Sequence, residues 1–458
     1  MAATVLDRAL IEDLVERERS AYASANSRSA ALHSNADHLF GRVPMTWMNK
    51  WVGRFPLYLQ SARGNRITDV DGHTYIDFAL GDTGAMAGHS PRPTTDAVTR
   101  RMSDLGGITT MLPTEDAEWV AAELSHRFGL PLWSFALSAT DANRWAVRLA
   151  RLVTGRPKIL VFSYCYHGTV DETFVIVDDE GKARSRPGNV APAVDPTVTT
   201  RVVEFNDLAA VERELAHGDV AAILTEPALT NIGIVLPEPG FLGGLRELAT
   251  RYGALLMIDE THTISAGAGG MTARDGLSPD VFVIGKSLGG GIASGAYGLS
   301  REVAAKVDER VRDAGVDLID VGGVGGTLAG NALSLAAMRA TLEHVLTPDA
   351  FGRMITLADR FTIEAAQIID KYEMPWSITQ LGARAEYRFA SPAPRTGNES
   401  AAAADDLLDE YMHLYMCNRG ILMTPFHNMA LMCPETAPAD VDAHTEVFES
   451  AVRELVRA

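Results

Sequence analysis

The chain has 458 residues, 47% of them hydrophobic and 22% charged, with a formal net charge of -18. That length supports more than one structural unit with packed cores, whereas the negative charge excludes a protein built to neutralise nucleic-acid phosphates. No apolar stretch reaches the roughly 18 residues of a membrane span, and Cys165, Cys417 and Cys433 lack the spacing of a disulfide framework or thiolate metal site; a cytoplasmic location is the expectation.

The N-terminal MAATVLDRALIEDLVERERS has no signal-peptide core, and Leu6, Leu10, Ile11 and Leu14 recur at helical spacing. Short strands follow at Asn65–Asp69 and Thr74–Leu80, with Asp71-Gly72 as a hairpin turn. From about 90 to 330, apolar runs at Ser134–Leu137, Ile159–Phe162, Val202–Phe205, Ala221–Leu224, Ala254–Ile258 and Val281–Ile284 alternate with helical stretches such as Asn143–Leu152 and Leu242–Tyr252. This alternation predicts an α/β fold with a large, mostly parallel sheet covered on both faces. Beyond it, helices over Asn331–Leu346, Ala402–Cys417 and Asp440–Val456 with weak strands predict a smaller α/β unit, completed by the N-terminal segment. The expected division is an N-terminal segment over 1–88, a large domain over 89–334 and a C-terminal small domain over 335–458.

Ligands of parallel α/β sheets collect beyond the carboxyl ends of the strands. Ser138-Ala139-Thr140, Tyr166-His167-Gly168, Glu226, Asp259-Glu260 and Lys286 all fall at or just after such ends. A lysine ending the apolar run Val281–Gly285 is suited to Schiff-base chemistry with an aldehyde. An aspartate ending a neighbouring strand suits a protonated ring nitrogen, which makes the ring an electron sink. Ser138, Ala139 and Thr140 precede the helical DANRWAVRLARL, where backbone amides and hydroxyls form a phosphate cradle, a role compatible with an ordinary helix cap. Rival patterns fail on single residues: Gly285-Lys286-Ser287 lacks the P-loop glycine because position 280 is Asp280, and the Gly322–Thr327 loop has Leu328 where a dinucleotide fingerprint needs glycine. No HExxH, EF-hand or paired-cysteine pattern points to a metal.

In order, DVDGHTYIDF, AGHSP, LSATDAN, YHG, TEPALTNIG, PGFLGGLRELATRYGALLMIDE, PDVFVIGKSLGGGIASGAYG and GGTLAGNALSLAA resemble the class III aminotransferases of fold type I, and within them the glutamate-1-semialdehyde aminomutase-like branch. The resemblance implies pyridoxal 5'-phosphate as cofactor, with Lys286 forming the internal aldimine and Asp259 pairing with the ring nitrogen. It further implies Tyr166 on one ring face and Thr261 on the other, and Ala139 and Thr140 at the phosphate, joined by Thr327 from a second subunit. Asn231 would lie near the ring hydroxyl with Glu226 behind it, and His167 joins the cofactor-binding set. Sites shared in this way imply a homodimer.

Three departures from the family pattern stand out. Ala139 and Asp141 replace the usual glycine and glutamate of the phosphate loop, and Thr261-His262 replaces a valine followed by a less basic residue. Trp47, in PMTWMNKWVGRFP, stands where relatives often place a carboxylate-binding arginine; with Trp51 it predicts an apolar substrate pocket, while Arg42, Arg54, Arg384 and Arg388 are alternative anchors. The expected function is an aminotransferase that moves an amino group from an amine or amino acid to a carbonyl acceptor through pyridoxamine phosphate. The alternatives are a 2,1-aminomutase or racemase using the same cofactor, or a nucleotide-binding α/β protein without it.

Overall fold

The computed structural model describes residues 6–315, 318–319 and 322–456. The chain divides into two compact units, one of Arg92–Pro348 with Pro394–Ala402, the other of Met1–Pro91, Asp349–Ala393 and Ala403–Ala458.

The larger unit is built on seven strands: β1 (Leu132–Ala136), β2 (Lys158–Phe162), β3 (Thr200–Val203), β4 (Val220–Thr225), β5 (Leu255–Asp259), β6 (Val281–Gly285) and β7 (Gly295–Leu299). Their order across the sheet is β1-β7-β6-β5-β4-β2-β3. From β6 through β5, β4 and β2 to β3 every pairing is parallel, whereas β7 runs antiparallel to both β6 and β1. Every residue of β4, β5 and β6 is buried, as strands covered on both faces require.

The predicted mostly parallel α/β sheet is therefore present, with six of its strands near the positions read from the apolar runs. The seventh, β7, had no such signal, because GAYGL reads as a turn. A β-carbon on Gly295 would lie 2.6 Å from the carbonyl carbon of Ser138, so the strand can pass there only without a side chain. Helix α1 (Ala139–Thr154) packs on β4, β6 and β7 through a stripe that includes Ala142, Ala146, Val147, Ala150 and Val153. It starts at Ser138, whose hydroxyl accepts from the Asp141 amide, and stops at Gly155 in the left-handed conformation. The helix Ala332–His344 also belongs to this unit.

The smaller unit draws on both ends of the chain. It holds a sheet of Leu59–Arg63, Arg66–Asp69, Thr74–Asp77 and Ile421–Leu422, and a second, antiparallel one of Ser377–Leu381, Arg384–Arg388 and Met429–Leu431. The N-terminal helix is Arg8–Ala25, which packs on Asp406–Cys417. The predicted single helix Ala402–Cys417 is two, Gly397–Ala402 and Asp406–Cys417, because Asp405 caps the second by accepting from the Leu407 and Leu408 amides. Among the described residues no helix is long and apolar enough to cross a membrane, and no cluster of three metal-ligating side chains occurs. All three cysteines are free and buried.

Candidate active site

Strands β5 and β6 are parallel neighbours in the register Asp259–Val283, so their carboxyl ends open side by side. Asp259 is 3% exposed and accepts four hydrogen bonds. Its Oδ1 takes the Thr261 amide (3.0 Å) and hydroxyl (2.6 Å), and its Oδ2 takes Asn143 Nδ2 (2.8 Å) and His167 Nδ1 (3.0 Å). Burial works against the charge, but His167, Thr261 and Asn143 together outweigh it and hold the carboxyl below the usual aspartate value. His167 is the complement: burial opposes its proton, yet Cys165 and the bond to Asp259 hold its pKa well above that of free imidazole. The result is a buried, ionised carboxylate with fixed orientation.

Lys286 follows the last residue of β6 and begins a single 3-10 turn, Lys286–Gly289, so no long helix opens there to cradle a nucleotide phosphate. Its φ of 51° is unusual for a residue with a side chain, a strained conformation of the kind that concentrates at functional sites. The amine Nζ lies 2.8 Å from Nε2 of His262, which is 7% exposed and stands three residues beyond Asp259. Glu260 fixes the turn between them by accepting from the Thr263 hydroxyl, the Met271 amide, and the Thr272 amide and hydroxyl. Glu260 is thus a buried support, and burial raises its pKa.

The third element is the N-terminus of α1. Its first-turn amides have no intrahelical acceptor, which favours an anion there. The Thr140 hydroxyl accepts from the Thr169 amide (3.1 Å), tying the loop after β2 to the helix. Gly168 between them has φ +80°, and a β-carbon on it would lie 2.0 Å from Thr140 Oγ1. Tyr166 and His167 are therefore carried on a loop clamped against the start of α1. The Tyr166 amide donates to Glu226 Oε1 (3.2 Å), and its ring meets Phe174 edge-on at 6.3 Å. Glu226 also accepts from Thr230, and burial pushes its pKa up.

Of the residues singled out from sequence, Ser138, Ala139, Thr140, Tyr166, His167, Glu226, Asp259, Thr261 and Lys286 are linked by these contacts and strand pairings. Thr261 is occupied by Asp259 through both its amide and its hydroxyl. Asn231 forms an isolated bridge with Gly233 on the loop after β4, and Thr327 is exposed in its glycine-rich loop. Trp47, in the smaller unit, meets Phe426 edge-on at 5.7 Å, whereas Trp51 makes no ring contact among the described residues. Of the alternative anchors, Arg42 donates to the His33 and Ser34 carbonyls, and Arg384 is fully buried with Thr83 as a partner. Sequence reasoning assigned no role to Asn143 or His262. Asn143 sits in the quoted LSATDAN, and only the fold reveals that its amide reaches across to Asp259.

A buried carboxylate and an amine at neighbouring strand ends, with a helix N-terminus after another strand of the same sheet, define a pyridoxal-phosphate enzyme of the large parallel-sheet type. The chain belongs to the class III aminotransferases, whose family profile matches residues 47–452. It is 32% identical over 412 residues to the glutamate-1-semialdehyde 2,1-aminomutase of Thermomicrobium roseum, covering 89% of this chain and 93% of that protein. Among solved structures it is similar to a glutamate-1-semialdehyde aminomutase from Pseudomonas aeruginosa PAO1, with 47% identity, a TM-score of 0.95, and coverage of 98% of this chain and 99% of that one. A lysine-to-alanine variant of that protein was solved in complex with PMP. The β-phenylalanine aminotransferase of Variovorax paradoxus is also similar, at 27% identity, a TM-score of 0.84, and coverage of 96% and 97%.

The cofactor is pyridoxal 5'-phosphate. The residues present fit it chemically: an anionic carboxylate suits a protonated ring nitrogen, an amine suits the aldehyde, and the Ala139 and Thr140 amides at the start of α1 suit the phosphate. His167 Nε2 and Asn143 Oδ1, both buried, have no hydrogen-bond partner among the described residues, so polar capacity around Asp259 is not exhausted by the chain itself.

Proposed function

We propose that this enzyme moves an amino group from an amine or amino-acid donor to a carbonyl acceptor, using Lys286 and Asp259 as its two central residues. The observation that carries the reading is the buried, four-bonded Asp259 at the end of β5, next to the parallel strand β6 that leads into Lys286. When bound, pyridoxal phosphate supplies an aldehyde for imine exchange and an electron-withdrawing ring. Lys286 would hold the aldehyde and, when its amine is free, would carry the proton from the donor Cα to the former aldehyde carbon. Asp259 keeps a proton on the ring nitrogen because its own low pKa leaves it charged. The Ala139 and Thr140 amides would bind the phosphate dianion, with the Ser138 hydroxyl capping α1 through Asp141 beneath them, and the clamped loop would offer Tyr166 to the ring. Thr261 supports Asp259 from the other side, and His167 from behind.

Thr327 completes the phosphate site of a second copy in this reading. Its exposure, and that of Leu328, Met102, Met111 and Leu112 in the same unit, supports a homodimer with shared sites. The three free cysteines are consistent with a reducing, cytoplasmic setting.

A second reading is an internal 2,1-amino shift, favoured by the glutamate-1-semialdehyde 2,1-aminomutase relatives. Trp47 stands where relatives often carry an arginine, the sequence departure that favours transfer over the internal shift. Steady-state kinetics separate the two. A transferase shows ping-pong patterns with donor and acceptor, whereas a mutase isomerises a single substrate and needs no second one. Absence of a visible cofactor band after adding pyridoxal phosphate would overturn both.

A further inference from the structure

Arg186 follows the short hairpin Val175–Val177 and Ala183–Ser185 in the larger unit. Its backbone is held on both sides, the amide donating to the Phe174 carbonyl (2.9 Å) and the carbonyl accepting from the Asn189 amide (3.0 Å). The guanidinium lies over the Tyr164 ring, 5.1 Å from its centre, and Nη1 donates to the Cys165 carbonyl at 3.3 Å. That carbonyl belongs to the Cys165–Tyr166 peptide, whose N–H donates to Glu226. One peptide group therefore separates Arg186 from Tyr166 and Glu226, both residues of the proposed cofactor site.

Arg186 is partly buried, yet it makes no ion pair among the described residues. Only one of its five N–H donors is used, and its other nitrogens are not sealed from solvent. Glu226 is a poor counter-ion: burial pushes it toward its neutral form, and both its oxygens already accept hydrogen bonds, from the Tyr166 amide and the Thr230 hydroxyl. Burial also lowers the pKa of Arg186, the cost of keeping a cation there without an anion. The planar guanidinium fork, carried over an aromatic ring, has the shape that recognises a carboxylate by two parallel hydrogen bonds.

We infer that Arg186 is a specificity-determining residue, whose guanidinium receives the carboxylate of an amino-acid donor or oxo-acid acceptor beside Tyr166. The inference rests on the proposed amino-transfer site. It places the carboxylate anchor on the loop after β2 of the larger unit, in place of the arginine whose position Trp47 takes. Pentanoate, a carboxylate with no amine to react, is the probe.

Calorimetric titration of the holoenzyme with pentanoate should show binding that Arg186→Met weakens roughly tenfold to a hundredfold, the worth of a charge-assisted hydrogen-bonded pair. Arg186→Lys, which keeps the charge without the fork, should fall between them, and it decides the matter if the methionine variant fails to fold. Inorganic phosphate serves as the comparison anion. Equal pentanoate affinity in all three proteins, no binding to the wild type, or a loss of phosphate affinity as large as that of pentanoate would each overturn the assignment. Borohydride trapping of the cofactor on the same samples reports separately on Lys286, so failure of the underlying site is distinguishable from failure of this inference.

Discussion

Asp259→Asn isolates charge from shape. The carboxylate accepts two donors on each oxygen, so an amide in its place must turn its NH2 toward one donor pair. If the NH2 faces Asn143 and His167, Asn143 Nδ2 clashes or gives up its second bond, to the His167 carbonyl (3.1 Å). If it faces Thr261, the hydroxyl can rotate to accept, and only the Thr261 amide loses its partner. The second arrangement costs one buried hydrogen bond, about 1–3 kcal/mol, offset in part because no carboxylate need be desolvated. The variant should therefore fold, with a thermal midpoint only a few degrees lower, and should still take up cofactor. The chemistry should suffer far more, because a neutral amide cannot hold the ring nitrogen protonated in a site this dry. Losing one preorganised electrostatic partner costs roughly a hundredfold to a thousandfold in rate. Stopped-flow measurement of the half-reaction with a saturating amine, normalised to bound cofactor, reads this directly. A rate within threefold of wild type at full occupancy would refute the electron-sink role of Asp259.

Other consequences are separable. Gly168→Ala forces a β-carbon onto Thr140 at a left-handed position; it should weaken cofactor affinity at least tenfold by unclamping the loop, and normal affinity by equilibrium dialysis would contradict the clamp. Burial drives the His444 pKa from 6.5 down to about 3, its ring lying 4.2 Å from Phe361. Because the folded value is depressed, its stabilising contribution is complete above pH 6.5 and drains away as pH falls toward 3. His444→Phe should remove about 1.4 kcal/mol of acid sensitivity per pH unit in that window, read from urea midpoints at pH 7 and 4.5; an unchanged difference between the two would count against it. Trp47→Arg should shift preference toward donors bearing a carboxylate, and an unaltered donor panel would show that Trp47 does not face the substrate.

The fold was legible where apolar runs end in a polar residue. β5 and β6 are continuous hydrophobic strands closed by Asp259 and Gly285-Lys286, and burial on both faces leaves little room for another reading. Strand β7 was hidden because close approach of the Ser138 backbone forces glycine into it, and glycine reads as a turn. Asn143 was hidden for a different reason. Its amide meets a carboxylate 116 positions away, a partnership created only when α1 packs on the sheet. His262 lies beside the readable Asp259, but its 2.8 Å contact with Lys286 depends on the turn held by Glu260. Thr327 carries no local signal of its own, since its proposed role lies in a second subunit.

The most direct measurement is borohydride reduction of the cofactor-loaded enzyme followed by peptide mass mapping. The account predicts a single stable cofactor adduct on Lys286, lost in Lys286→Ala, with the adduct's ring nitrogen within hydrogen-bonding reach of Asp259 in a crystal structure of the reduced protein. An adduct on another lysine, or a ring whose nitrogen points away from that carboxylate, would contradict it.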